Sequence, residues 1–170
     1  MALGPGVSMA VLGDGKLGTL CAWVARLTGA DVHLIGKHPD KLALAGEAVT
    51  THTLDAAGAL GRSFDVVADC TGSQSGLPAA LRLVRPCGTL VLKTTVAGAY
   101  TADLAPVVID EVRVVGSRCG PFPMAIAALA EGRVDVRPLV AAVYPLYDAE
   151  EAFRAASARG ARKVLIEVGR

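Results

Sequence analysis

The pattern G-x-G-x-x-G, placed directly after a short apolar segment, constrains this chain more than any other feature. Residues Val7 to Leu12 form the apolar segment, and Gly13, Gly15 and Gly18 supply the pattern. In such a turn the first glycine permits the tight bend and the second lets a pyrophosphate approach the backbone. The third lets the following helix pack closely on the strand. The segment therefore predicts a strand, a dinucleotide-binding turn and a helix, with a tight turn that binds nothing as the alternative.

The residues after the turn have the spacing of an amphipathic helix. We expect this helix to run from Lys16 to Thr28, with Gly29 as its stop. We expect its inward face to consist of Leu17, Leu20, Cys21, Val24 and Leu27. Trp23 lies off this stripe and is predicted to be a half-buried surface aromatic, or a contact to another domain or subunit.

Length and charge limit the classes of protein to which the chain can belong. Its 170 residues are enough for one domain, and 52% hydrophobic with 19% charged residues is a globular composition. The net charge of +1, without a basic block, argues against nucleic acid or an acidic membrane surface as a partner. No apolar run reaches the roughly 18 residues of a membrane span, and the first residues lack a signal-peptide pattern. We therefore expect a soluble, cytoplasmic protein.

Strand-like and helix-like segments alternate, which indicates a parallel sheet covered on both faces. Strands are expected at Val7 to Leu12, Asp31 to Ile35, Val49 to Thr53, Phe64 to Asp69, Thr89 to Lys93 and Val112 to Gly116. Helices are expected at Lys16 to Thr28, Pro39 to Ala45, Ser75 to Val84 and Phe122 to Glu131, with a weak turn at Leu54 to Leu60. The right-handed crossover rule then predicts an α/β, doubly wound Rossmann sheet of six strands in the order 3-2-1-4-5-6.

Two further helices and the tail carry more specific expectations. The buried stripes should be Leu77, Leu81 and Val84 in the third helix, and Phe122, Ile126 and Leu129 in the fourth. Residues 138–146 are expected to be extended, Asp148 and Glu151 resemble a capping box, and Lys163 to Val168 should form a last strand. With no repeat or linker in view, we predict a single domain over residues 1–170, of which 138–170 is an extension.

The cysteines and histidines show no spacing typical of a metal site or a nucleophile. Cys21, Cys70, Cys87 and Cys119 are scattered without a C-x-x-C pair, so we expect reduced thiols, with Cys21 as a small buried hydrophobe. His33, His38 and His52 have no carboxylate at motif spacing. Residues 72–76 have glutamine where a nucleophile elbow needs serine. We therefore predict no catalytic residue and no metal ligand in this chain.

Several ordered motifs resemble the cofactor domain of the medium-chain, zinc-dependent alcohol dehydrogenases. They occupy residues 13–18, 64–72, 81–91 and 114–117, and the tail motifs at 144–146, 151–153 and 160–166 are similar to that family's carboxyl-terminal pattern. The resemblance implies an amino-terminal, GroES-like catalytic domain that supplies the zinc ligands. We expect that domain, and with it the zinc, to be absent from this chain.

The resemblance also implies which residues contact a nicotinamide dinucleotide. The residues of the pyrophosphate turn would be Gly13, Gly15, Lys16, Leu17 and Gly18, with Lys163 as a further pyrophosphate contact. Thr71 and Gly72 would lie beside the adenosine or its ribose. The nicotinamide side would be formed by Leu92, Lys93, Thr94, Ser117, Arg118 and Cys119. For Lys16 and Lys163 the alternative is a solvated surface lysine, and Asp69 is predicted to be a structural hydrogen-bonding residue.

The end of the second strand predicts the cofactor preference. An NAD-selective site places an acidic residue about 20 positions beyond the glycine motif, where it binds the ribose 2′-OH. Gly36 stands there, followed by Lys37 and His38, which can attract a 2′-phosphate. Asp14 is expected to point away from the phosphates. We predict NADP(H) over NAD(H), with comparable binding of both as the alternative.

Function and assembly follow from these expectations. We predict the cofactor domain of an oxidoreductase that transfers hydride between a nicotinamide and an alcohol, aldehyde or ketone, inactive by itself. The alternatives are the cofactor domain of a zinc-free quinone reductase, and a stand-alone module that binds a dinucleotide or S-adenosylmethionine. The resemblance implies a homodimer that pairs the sixth strands, from Glu111 to Val115, and an exposed edge strand favours such pairing.

Overall fold

The computed structural model describes residues 2–96, 101–158 and 160–169. The chain forms two compact units, Met1–Ala125 and Ile126–Arg170, which are described separately. Within the described ranges, every helix is too short or too polar to cross a lipid bilayer.

The first unit is built on a parallel sheet of six strands. These are β1 (Ser8–Leu12), β2 (Asp31–Gly36), β3 (Thr50–Thr53), β4 (Phe64–Asp69), β5 (Val84–Leu92) and β6 (Arg113–Gly116). Their order is β3-β2-β1-β4-β5-β6, which confirms the predicted doubly wound fold. The central strands carry the core because both of their faces are covered, and Ala10, Val11, Leu34, Val67 and Leu90 are fully buried.

Seven helices accompany the strands in the described part of the chain. They are α1 (Lys16–Arg26), α2 (Pro39–Leu42), α3 (Leu54–Ala57), α4 (Gly76–Leu81), α5 (Ala105–Ile109), α6 (Phe122–Ala130) and α7 (Ala149–Ser157). The boundary between the two units falls within α6. In the second unit, α7 accompanies a parallel pair of strands, β7 (Val140–Pro145) and β8 (Lys163–Glu167).

The predicted inward face of α1 is wrong. Leu17, Val24 and Leu27 are exposed, Leu20 and Cys21 are only partly buried, and the buried residues are Gly18, Thr19, Ala22, Trp23 and Ala25. The reason is steric, because a Cβ on Gly18 would collide with the carbonyl oxygen of Gly13. Only the face that carries Gly18 can come this close to the strand. The prediction, which was based on hydrophobicity alone, therefore chose the wrong face of α1.

Trp23 is buried, not a half-exposed surface aromatic. Only 7% of the residue is exposed, and its indole Nε1 donates a hydrogen bond of 3.0 Å to the carbonyl oxygen of Ala45. This bond satisfies the polar end of the ring inside the protein. Trp23 therefore ties α1 to the turn that follows α2.

Three other expectations are also corrected. The helix α4 ends at Leu81 because Val84 already begins β5 and pairs with Phe64; Leu77, Leu81 and Val84 are nevertheless buried as expected. The predicted buried stripe of α6 is also wrong: Phe122, Ile126 and Leu129 are exposed, and no residue of that helix is buried. Asp148 precedes α7 but its side chain makes no cap hydrogen bond, and Glu151 pairs with Arg154 instead.

Candidate dinucleotide-binding site

The glycine turn joins β1 to α1 and lies against the end of β4. Gly13 has a φ of +112°, and a Cβ there would lie 2.8 Å from the carbonyl oxygen of Cys70, so only glycine fits. The amide of Gly13 donates to the carbonyl of Ile35 at 2.8 Å, and that of Cys70 donates to Leu12 at 2.8 Å. The turn is thereby fixed to the carboxyl ends of β2 and β4.

Gly15 has a different environment from the other two glycines. A Cβ on Gly15 would meet nothing within 4 Å, and its φ of −77° is accessible to any residue. The fold itself therefore does not require glycine at this position. Open space in front of the backbone is what a closely approaching pyrophosphate needs.

The amino-terminal end of α1 is suited to an anion. Gly15 is the N-cap residue and supplies no side-chain hydrogen bond, and the first turn contains no acidic residue. The helix has 11 residues, so its aligned peptide dipoles place partial positive charge at this end. Lys16 and Leu17 lie on this turn with exposed side chains.

Asp69, at the end of β4, organises the loops beside the turn. The residue is fully buried, and its Oδ1 accepts hydrogen bonds from the Thr71 amide at 3.0 Å, the Thr71 hydroxyl at 2.8 Å and the Thr94 hydroxyl at 2.8 Å. The Gly72 amide donates in turn to Thr94 Oγ1 at 3.1 Å. The structure thus brings three predicted cofactor contacts together around one carboxylate, which agrees with the predicted hydrogen-bonding role of Asp69.

A second group of predicted residues meets at the ends of β5 and β6. The ammonium group of Lys93 lies 3.2 Å from the Ser117 hydroxyl, 3.4 Å from the Ser117 carbonyl oxygen and 3.5 Å from the Arg118 carbonyl oxygen. The Ser117 amide donates to the Leu92 carbonyl at 3.0 Å. Cys119 follows as an exposed residue. Lys93 therefore holds the loop after β6 next to the end of β5.

The side chain of Asp14, a residue of the glycine turn, lies at the end of β2. Oδ2 of Asp14 accepts hydrogen bonds from the amides of Lys37 and His38, each at 2.6 Å, and lies 3.0 Å from His38 Nδ1. Burial raises the pKa of Asp14, but the hydrogen bonds from His38 and Lys37 outweigh it and hold this pKa below its usual value. A carboxylate charge is therefore fixed where the 2′ position of a bound ribose would be recognised.

The same contact explains why position 36 is glycine. A Cβ on Gly36 would lie within 2.6 Å of Asp14 Cγ. An acidic side chain at position 36 and the carboxylate of Asp14 would compete for one space. In the sequence, this arrangement is visible only as the combination of Asp14 in the glycine turn with Gly36 at the end of β2. The sequence of β2 alone cannot show that a side chain from the neighbouring turn occupies the space beside Gly36.

The remaining predicted contact, Lys163, belongs to the second unit. It is exposed at the start of β8, in the second unit, where it pairs with Val140. Its predicted contact with a pyrophosphate remains a prediction. In the described ranges 2–96, 101–158 and 160–169, no group of three or more histidine, cysteine or acidic side chains is arranged to hold a metal ion.

Comparison with known proteins agrees with this geometry. The family model for zinc-binding dehydrogenases matches residues 17–131, more than half of the chain. The chain belongs to the zinc-binding dehydrogenase family. The matching fold and motifs identify it with the Rossmann-type domain of the zinc-dependent, medium-chain alcohol dehydrogenases, as the sequence motifs indicated.

Curated relatives include polyol-related enzymes. The chain is 29% identical to sorbitol dehydrogenase of Rattus norvegicus over 177 residues, which cover 95% of this chain and 50% of that protein. It is 28% identical to D-xylulose reductase A of Aspergillus oryzae over 180 residues, with the same coverage. The chain thus spans about half the length of the curated relatives that it matches.

Solved structures show the same relationship. Alcohol dehydrogenase TADH from Thermus sp. ATN1 is 26% identical and superposes with a TM-score of 0.85, covering 98% of this chain and 52% of that one. A structure from Sinorhizobium meliloti 1021, described as a zinc-binding dehydrogenase and bound to NADP, is 25% identical with a TM-score of 0.86, covering 98% and 54%.

The buried carboxylate of Asp69 yields a first prediction. Replacement of Asp69 by alanine removes the oxygen that accepts three hydrogen bonds. The Thr71 amide and the hydroxyls of Thr71 and Thr94 then lose this acceptor. We expect the free energy of unfolding, measured by urea titration, to fall by about 2 kcal/mol. Asp40→Ala, an exposed aspartate in the first turn of α2, should cost less than about 1 kcal/mol. Equal stability of Asp69→Ala and the unmodified protein would contradict this role.

Proposed function

We propose that this zinc-binding dehydrogenase chain binds a nicotinamide dinucleotide across the carboxyl ends of β1 and β4. The observation that carries the proposal is the glycine turn. Its helix end is uncapped and has open space in front of Gly15. Beside it, the buried carboxylate of Asp69 holds Thr71 and Thr94 by hydrogen bonds. The NADP-bound relative of similar fold supports it. What distinguishes Gly15 from other glycines with open space is its position at the uncapped amino-terminal end of α1.

The residues present fit the cofactor in three separate regions. The amides of α1's first turn would hold the pyrophosphate, Thr71 and Gly72 would lie beside the adenosine ribose, and Lys93 with the Ser117 loop would lie on the nicotinamide side. A bound nicotinamide accepts or donates the hydride in dehydrogenation. The role of this chain's residues is to bind and orient it.

For the whole protein we propose oxidation of an alcohol to a ketone or aldehyde, and the reverse reduction. The sorbitol dehydrogenase and D-xylulose reductase names of the relatives favour a polyol or its ketose as the substrate class. The zinc that such chemistry uses would come from outside the described residues, where we expect the GroES-like domain to supply it. This chain by itself is expected to bind cofactor without oxidising alcohols.

Substitution of Gly15 tests dinucleotide binding directly. Gly15→Val adds a side chain to space that the fold leaves empty, so we expect normal folding and at least about tenfold weaker binding of NADP(H), measured by calorimetric titration. Gly58→Val is the matched control, because a Cβ there also meets nothing within 4 Å and its φ of −58° is unstrained. Unchanged affinity in Gly15→Val, or no binding by the unmodified chain, would refute the proposed site.

We further propose that the site prefers NADP(H) over NAD(H). Gly36 provides no acidic side chain, and the exposed Lys37 and His38 can meet a 2′-phosphate. Asp14 is an opposing charge, but two backbone amides and His38 partly compensate it. The preference therefore depends on the balance between Lys37 and Asp14.

Two substitutions separate these charges. Lys37→Glu should lower the ratio of NADP(H) to NAD(H) affinity about tenfold and reverse the preference, because a second carboxylate repels the 2′-phosphate. Asp14→Asn should raise the same ratio. Arg26→Glu, an equal charge change at the far end of α1, should leave it unchanged. Dissociation constants are compared at one ionic strength, and tighter binding of NAD(H) by the unmodified chain would contradict the assignment.

We also propose a homodimer formed through β6. This strand lies at the end of the sheet, so one of its edges has no neighbouring strand among the described residues. Val114 and Val115 are 41% and 40% exposed, and in the neighbouring α5 Val108 and Ile109 are 77% and 78% exposed. An open apolar edge of this kind favours pairing with a second copy.

A charge placed on that edge tests the dimer. Val114→Asp should convert the dimer to a monomer, because it would bury a carboxylate at the interface. Light scattering coupled to size exclusion measures the mass. Val143→Asp, a change at a comparably exposed valine of β7, should leave the dimer intact. A monomeric unmodified protein at high concentration would disprove the proposed dimer.

A further inference from the structure

Cys21 and Cys70 form a pair of thiols next to the glycine turn. Cys21 lies in α1 and is partly exposed, whereas Cys70 follows β4 and is buried. Their sulfur atoms are 3.8 Å apart, and the Cys70 thiol is oriented to donate to the Cys21 sulfur. The two positions are 49 residues apart in the sequence, so only the fold brings them together.

The surroundings make the two thiols chemically unequal. The hydrogen bond from Cys70 and the nearby Lys93 ammonium outweigh the effect of burial and lower the pKa of Cys21 to about 7. The hydrogen bond to Cys21, burial and the charges of Cys21 and Asp69 raise the pKa of Cys70. Cys21 is therefore the more accessible and the more readily deprotonated thiol, as in pairs that consist of an attacking and a resolving cysteine.

We propose that Cys21 and Cys70 are a thiol-modification site that reacts with small-molecule disulfides and closes to a disulfide between α1 and the end of β4. Among the described residues, the exposed Cys87 and Cys119 have no second cysteine sulfur beside them. Modification there would stop at a mixed disulfide.

The reaction has two exchange steps. The Cys21 thiolate attacks one sulfur of a disulfide such as oxidised glutathione, forms a mixed disulfide and expels one glutathione thiolate. Cys70 then loses its proton to solvent and attacks the Cys21 sulfur, which expels the second glutathione thiolate. The protein loses two protons and two electrons, and the oxidant is reduced to two thiols.

Formation of the mixed disulfide itself favours the second step. Four causes raise the pKa of Cys70: its hydrogen bond to Cys21, burial, the negative charge of Cys21 and the charge of Asp69. The two that depend on Cys21 disappear when Cys21 is capped, whereas burial and the charge of Asp69 remain. The charge of Lys93, which lowers the pKa of Cys70, remains. Capping Cys21 therefore makes the resolving thiol easier to deprotonate.

The two sulfur atoms already lie in contact. Disulfide formation requires them to close from 3.8 Å to about 2.05 Å by rotation of the two side chains. A Cβ on Gly18 would lie 3.7 Å from Cys70 Cβ, so α1 already approaches Cys70 closely at that glycine. The disulfide would therefore cross-link the helix and strand that hold the glycine turn.

The test treats the folded, unmodified chain with oxidised glutathione near pH 7 and maps the peptides by mass spectrometry after alkylation of free thiols. We expect a peptide pair joined through Cys21 and Cys70, with a loss of two hydrogens and no retained glutathione. A double variant, Cys87→Ser with Cys119→Ser, should give the same product. No dinucleotide takes part, so the outcome is independent of the proposed cofactor binding.

Single variants identify the order of attack. Cys70→Ser should retain one glutathione on Cys21, and Cys21→Ser should leave Cys70 unmodified. The proposal is overturned if the unmodified chain reacts only at Cys87 or Cys119, or if glutathione stays on Cys21 without an internal disulfide. The unmodified chain alone decides between these outcomes, even if a variant does not fold.

Discussion

The close approach of backbone to backbone at the glycine turn determines how the first unit is assembled. Gly18 leaves no room for a side chain against the Gly13 carbonyl, and Gly13 leaves none against Cys70. These two contacts fix the rotation of α1 about its own axis, and so which residues are buried. They also aim the uncapped end of the helix at the space in front of Gly15. Packing and the proposed anion binding thus depend on the same absence of side chains at these glycines.

The polar part of the site is organised by two carboxylates with different surroundings. Asp69 is fully buried and holds side chains of the loops after β4 and β5, whereas Asp14 lies near the surface and holds backbone amides after β2. The first fixes the position of groups that would contact the cofactor. In the proposed binding mode, the second adds a charge where NAD(H) and NADP(H) differ.

The sequence was sufficient for the fold because each strand has its own local signal. The buried strands β1 and β4 are rich in apolar residues, with the sequences SMAVL and FDVVAD. One right-handed crossover after another gives the strand order. The glycine turn was also predictable, since its three glycines have fixed spacing. The face of α1 was not, because Leu17, Val24 and Leu27 form a more hydrophobic stripe than Gly18, Ala22 and Ala25. Steric fit, which hydrophobic periodicity does not measure, decided the packing.

Contacts between distant segments were the other part that the sequence could not supply. Nothing in a linear pattern places Cys21 against Cys70, or Trp23 against Ala45. The exposed apolar residues of α6 show a related limit, since their spacing predicts a buried stripe without saying which surface would bury it.

Asp14 shows why cofactor preference is harder to infer than cofactor binding. Cofactor preference is usually inferred from whether an acidic residue stands at the end of the second strand, and here that position is Gly36. In the structure a carboxylate from the glycine turn fills that space. Its Oδ2 is already bonded to two amides and lies beside His38, which leaves it less able to accept a bond from a ribose hydroxyl. Its charge would still act on a 2′-phosphate bound nearby. In the proposed site, selectivity would therefore be set by the net field of Asp14, Lys37 and His38, not by the identity of one residue.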